Sequence, residues 1–220
     1  MASMSAFGAA GLNAAMCSAC KPAAPNADIG AMRATLKAGV QVLSAPQLFP
    51  TPPALAARMV NLAGLVVGMR VLEPSAGTGR VLEAFPGVVP FGPNRQTALQ
   101  VVAVELNTAL AANLDRSGLA GVVRCSDFLE CSAEQLGGLF DRVVMNPPFG
   151  AGADIQHITH ALTMLKPGGR LVALCANGPR QIAALRPLVD ASEGDWEDLP
   201  ADSFKAEGTG VSVALITLHA

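Results

Sequence analysis

Val71-Leu72-Glu73-Pro74-Ser75-Ala76-Gly77-Thr78-Gly79-Arg80 is the stretch that decides the fold. Met69 to Glu73 reads as a short apolar strand, and the glycines after it make a tight turn. The spacing predicts a helix from that turn to Phe85. A strand that ends in glycines and opens a helix is built to hold a ligand against backbone amides. The third glycine of a dinucleotide fingerprint is missing, because Leu82 stands in its place. Glu73 lies on the strand ahead of the glycines, where a carboxylate suits an ammonium or a water and suits a pyrophosphate badly. The plainer alternative is a glycine turn that packs helix on strand.

Outward from this stretch the pattern is rhythmic. Upstream, Gln47 to Pro53 is a proline-marked loop, and Pro53 opens a helix to about Ala63. Downstream, a loop from Pro86 to Gln100 leads to a strand at Val101 to Glu105 and a helix at Asn107 to about Arg116. Strands follow at Gly121 to Cys125 and Arg142 to Met145. Asp154 to Leu165 reads as a helix closed by Pro167-Gly168-Gly169, then come a strand at Arg170 to Ala176 and a helix at Arg180 to Val189. Trp196 to Leu199 and Val211 to Leu218 supply the last strands, with Trp196 partly buried. Short apolar strands alternating with helices predict a doubly wound, parallel α/β sheet.

The first 26 residues are small and Ala-rich, and Ile29, Met32, Leu36 and Val40 recur at near-helical spacing. The expected division is therefore residues 1–45, a tail with a helix, and residues 46–220, one domain. Of the 220 residues, 51% are hydrophobic and 15% charged, which excludes general disorder. Apolar runs such as Leu65-Val66-Val67 are too short to cross a bilayer. The first basic residue is Lys21, so a secretory leader is not expected. Five scattered cysteines, with Cys125 and Cys175 in strands, suit reduced, buried thiols in a cytoplasmic protein. The net charge of −2 gives no basic field, so any nucleic-acid contact must come from a local patch.

Three strand ends carry candidate ligand contacts. Glu105 closes the second strand, where a carboxylate holds a ribose diol; otherwise it is an acid favoured by the next helix's dipole. Asp127 follows the third strand and either accepts an adenine's amine, with Phe128 on the ring edge, or caps a helix. Asn146-Pro147-Pro148-Phe149 directly follows the fourth strand. Two prolines fix the backbone and bring no competing amide hydrogens. The Asn146 side-chain oxygen and the Pro147 carbonyl then take the two hydrogens of a planar amine and leave its lone pair facing an electrophile. Phe149 offers a face for stacking. The bland alternative is a rigid loop with a buried ring.

With these elements in that order, the chain resembles a class I S-adenosylmethionine-dependent methyltransferase of the amino-group type, over about residues 47–219. The resemblance implies that Glu73, Ser75, Gly77 and Gly79 hold the methionine portion of S-adenosylmethionine. It implies ribose contacts at Glu105 and Leu106, and adenine contacts at Asp127 and Phe128. Asn146, Pro147, Pro148 and Phe149 match the catalytic motif, with Asn146 also beside the cofactor. Phe49-Pro50-Thr51-Pro52 is similar to the segment that closes over the methionine end in gamma-class DNA adenine methyltransferases, which adds Phe49, Thr51 and Pro52 to the cofactor site. The implied architecture is Rossmann-like: seven strands, mostly parallel, the last antiparallel, helices on both faces. The implied activity is methyl transfer to an exocyclic amine, most of all adenine N6 in DNA, without a metal. Ser203-Phe204 and Gly208-Thr209-Gly210 resemble that family's final hairpin.

The sequence ends at Ala220, soon after the last strand, so a target-recognition domain is not expected and a partner protein would supply that recognition. Asp190 to Asp202 holds six acids, a face that repels phosphate. RNA adenine or guanine amino-methyltransferases share the motif, which keeps an RNA substrate open, and a non-catalytic cofactor-binding subunit is the reading from another class. Cys17 and Cys20 have zinc-type spacing without a second pair, and read as thiols in a tail. His157, His160 and Asp154 share a helical face, and a metal-free reading is preferred for them, with one histidine available to line the substrate mouth. Arg180 and Lys205 each either meet a phosphate or face solvent.

Overall fold

The computed structural model describes residues 49–86, 99–204 and 210–220. The expected tail, the helix over 28–40, the domain boundary at 45/46, Cys17 and Cys20, most of the Pro86–Gln100 loop and Lys205 lie outside the described residues.

Helix α1 (Pro53–Ala63) starts on a proline, whose missing N–H costs nothing in a first turn, and stops at Gly64 in the left-handed conformation. It leads into β1 (Arg70–Glu73), and β2 (Gln100–Glu105) follows. Helix α2 (Thr108–Ser117) is capped by Asn107, whose side chain accepts from the amides of Ala109 and Leu110. Next come β3 (Val122–Cys125), β4 (Phe140–Met145), α3 (Ala153–Leu162), β5 (Leu165–Ala176), α4 (Pro179–Ala191), β6 (Trp196–Asp198) and β7 (Val213–His219).

The strands form one sheet in the order β3-β2-β1-β4-β5-β7-β6. The pairs among β1 to β5 are parallel, while β7 runs antiparallel to both β5 and β6. Successive strand residues feed opposite cores. Val71, Val144 and Val172 pack beneath α1 with Ala56, Met59 and Val60. Leu72, Val143 and Leu171 pack on the other face with Ile158 of α3 and Leu185 of α4. Burial on both faces is why these strands read as continuous apolar runs. The strand order reverses between β1 and β4, so a crevice opens outside their carboxyl ends. Glu73, Glu105 and Asn146 stand at three neighbouring strand ends there.

Two elements differ from the expectation. The helix after the glycines shrinks to a 3-10 turn at Leu82–Ala84. Gly77 and Gly79 take φ of 53° and 85°, and Pro86 follows too soon for a longer helix. Helix α3 ends at Leu162, and Pro167-Gly168-Gly169 falls inside β5 rather than closing the helix. Leu165 is already paired with Phe140, and the β4–β5 register shifts beyond that pair. Cys175 is buried as expected, but Cys125 on the edge strand β3 is half-buried. No helix among the described residues is long and apolar enough to cross a membrane.

Candidate active site

Glu73 ends β1 in an unusual state. It is 1% exposed, and its Oε2 is buried without a hydrogen-bond partner. Burial, joined by the negative charge of Glu105, raises its carboxyl well above the usual range. The loop that follows is pinned to β2, with Ala76 N donating to Val104 O at 3.1 Å. Gly79 lies against α2: a Cβ there would meet Leu114 Cδ2 at 2.8 Å and Leu119 Cδ1 at 3.2 Å. Gly79 thus seats the glycine loop closely against α2. Ser75 is half-buried in the same loop.

Glu105 holds two backbone amides. Its Oε2 accepts from Gly77 N at 2.8 Å and its Oε1 from Asn107 N at 2.7 Å. It therefore ties the glycine loop to the start of α2. A carboxylate has about four lone-pair sites, so both oxygens keep acceptor capacity for a diol. Leu106 beside it is 67% exposed. Asp127 caps a 3-10 turn by accepting from Leu129 N at 2.9 Å. Phe128 is 2% exposed, its ring packed edge-on against His160, with centroids 4.8 Å apart. This ring belongs to the core rather than to an open ligand face.

Asn146 is oriented by the upstream segment. Its Nδ2 donates to Phe49 O at 3.0 Å and to Thr51 Oγ1 at 3.1 Å. A carbonyl can only accept, so this bond settles which end of the amide is nitrogen. Oδ1 is thereby left for another donor. Thr51 is 4% exposed, Pro147 is buried, and Pro52, Pro148 and Phe149 are half-buried. Phe49 and Phe149 pack against the same core cluster. The Phe49–Pro52 segment thus meets the Asn146–Phe149 loop directly.

His157 and His160 serve structure. His157 Nδ1 lies 2.8 Å from Ala153 O and His160 Nε2 lies 2.9 Å from Cys131 O. Sequence reasoning missed the role of Asp154. It is fully buried and accepts from Gln181 Nε2 with both oxygens at 3.1 Å, from Ala176 N at 2.9 Å and from Ile155 N at 3.0 Å. This one carboxylate ties α3, β5 and α4 together just behind the Asn146–Phe149 loop. An acid in a first helical turn was the sequence signal, but it reads equally as a dipole contact.

No family model matches the chain. Among curated proteins it is 31% identical over 135 residues to a tRNA (guanine(6)-N2)-methyltransferase of Thermus thermophilus, covering 56% of this chain and 38% of that protein. It is 33% identical over 126 residues to the ubiquinone/menaquinone biosynthesis C-methyltransferase UbiE of Pseudomonas savastanoi, covering 52% and 44%. The chain thus spans less than half the length of these relatives. Among solved structures, a putative class I S-adenosylmethionine-dependent methyltransferase of Listeria monocytogenes superposes with a TM-score of 0.58 at 17% identity, covering 87% of this chain and 66% of that one. The fold is that of the class I methyltransferases. A type I restriction-modification methyltransferase subunit of Streptococcus thermophilus shares it, with a TM-score of 0.60 at 23% identity, covering 77% and 44%.

S-adenosylmethionine is the cofactor expected with this fold, and the residues fit it. A buried carboxylate with an orphaned oxygen is stable when a ligand brings it a cation or a donor, and the methionine portion carries an ammonium. Glu105 would take the ribose hydroxyls.

Proposed function

We propose that this chain transfers a methyl group from S-adenosylmethionine to an exocyclic amine of a nucleobase, with adenine N6 in DNA as the first substrate. The supporting observation is the state of Asn146: both of its N–H groups are engaged by Phe49 and Thr51, which leaves Oδ1 and the adjacent Pro147 carbonyl for the hydrogens of an incoming amine. When bound, the cofactor supplies an electrophilic methyl on a sulfonium. Asn146 and Pro147 orient the amine and direct its lone pair toward that methyl. Phe49 and Phe149 offer faces for the planar base. The amine attacks neutral and loses its proton afterwards, so no strong base is required. Positioning and exclusion of water supply most of the rate. A base in a duplex has to be flipped out first.

Guanine N2 in RNA is the second substrate reading, favoured by the sequence likeness to the tRNA (guanine(6)-N2)-methyltransferase. The stretch from Asp190 to Asp202 carries six acids, of which Asp190 and Glu197 are paired with Arg186 and Arg58; its net negative charge disfavours a phosphate backbone there, which supports a partner protein in target recognition. The test is transfer of labelled methyl to duplex DNA, single-stranded DNA, structured RNA and a protein extract, with Asn146→Ala beside the native chain. Label in one nucleic-acid pool, lost in the variant, is expected. Label in protein alone overturns the nucleobase reading. Cofactor binding without label anywhere moves the chain to a partner-dependent or non-catalytic subunit.

A further inference from the structure

Most arginines among the described residues are already engaged. Arg58 pairs with Glu197, Arg80 with Glu83 and Arg186 with Asp190. Arg142 and Arg170 donate to Ala63 O and Leu62 O at the end of α1. Arg180 is exposed and bonds none of the described residues, yet its place is set. It stands at the start of α4, and the next residue, Gln181, is held by buried Asp154. Its side chain lies over Gly152, where an added Cβ would come within 3.3 Å of both Cδ and Nη1. Gly152 closes the short turn that begins directly after Phe149. The Arg180 side chain thus lies against the turn that follows the Asn146–Phe149 motif.

We propose that Arg180 binds a phosphodiester beside the target base, so that the substrate is a polynucleotide rather than a free base or nucleoside. This rests on the amino-transfer reading above. A nucleotide's phosphate is one sugar away from its base, so a cation next to the base-holding loop is placed to meet it. The guanidinium fork matches a phosphate's two oxygens, and among the described residues no partner has to release it first. With a net charge of −2 the chain has no general attraction for nucleic acid, so one placed cation weighs heavily.

The test uses the full chain with short fluorescein-labelled DNA and RNA strands, read by anisotropy over a salt series. Methyl-transfer kinetics are measured on the same strands and on adenosine. Arg180→Ala and Arg180→Lys are compared with Arg124→Ala, which removes an exposed charge on the edge strand β3. Arg180→Ala is expected to weaken strand binding roughly tenfold and to lower the salt slope by about one. It should raise KM for the strand and leave kcat and the adenosine kinetics unchanged. Arg180→Lys should keep the slope, and Arg124→Ala should change neither quantity. The strand that binds, DNA or RNA, names the source of the phosphate. An unchanged slope, an equal loss in Arg124→Ala, an equal loss on adenosine, or no strand binding by the native chain overturns the proposal. If the slope falls but the native chain transfers no label, the contact stands and the methyl-transfer reading fails.

Discussion

Glu73 is a carboxylate kept dry with one oxygen unpaired. Burial raises its proton affinity above the ordinary value of 4.5, so the folded state keeps a proton that the unfolded chain gives up near that value. The stability of the unliganded protein therefore falls as pH rises from that ordinary value up to the raised one. Glu73→Gln should flatten this fall in urea titrations across pH, and a fall that persists in the variant would assign it to another group. The same substitution should weaken S-adenosylmethionine binding, read by calorimetry, because the amide offers the ammonium no charge. Asn146→Ala should cut methyl transfer by about a hundredfold or more while the cofactor still binds, since the oriented acceptor is lost and the Glu73 end is untouched. The two nearby glycines separate on the same grounds. Gly79→Ala drives a Cβ into Leu114 at φ +85° and should cost about 1–3 kcal/mol of stability, measured by denaturation. A ligand-facing role alone would predict that Gly77→Val spares the fold. Its φ of 53° and its bond to Glu105 instead make this variant both strained and weak in cofactor binding.

Between elements, Asp154 is the clasp. Three donors, one each from α3, β5 and α4, make four hydrogen bonds to it, and none of this needs a ligand. Asp154→Ala would leave the Gln181 amide and the Ala176 N–H buried without a partner, which costs about 1–3 kcal/mol for each group. Denaturation midpoints check this loss, and Asp154→Asn should recover part of it. Cys175 lies nearby on β5, its thiol pushed up to about 12 by burial and by Asp154. It should resist alkylation until the sheet unfolds; rapid labelling of the native chain would show a looser β5.

For the molecule as a whole, the strand order brings the ends of β1, β2 and β4 side by side. A ligand spread across these ends stabilises the fold by an amount that grows with the logarithm of its concentration over Kd. S-adenosylmethionine at about a hundred times its Kd should add about 2.7 kcal/mol, seen as a rise in Tm. No shift in Tm under those conditions would remove the cofactor assignment.

The sheet, and the strand ends around the candidate site, were legible from residues alone. Strands buried on both faces must be apolar throughout, and the turns between them need Gly77, Gly79 and Gly118 at positive φ. The Asn146–Phe149 loop was legible because two prolines and an amide at a strand end have few other uses. Contacts between distant segments were not legible, since no local pattern encodes them. The bonds of Asn146 to Phe49 and Thr51 span 97 and 95 residues, and that of Gln181 to Asp154 spans 27. The packing of the Phe128 ring beside two histidines three residues apart on α3 was likewise not legible. Local sequence specifies which strands and turns can form. Only packing decides which polar groups are paired inside the fold and which, like Glu73 Oε2, are buried without a partner.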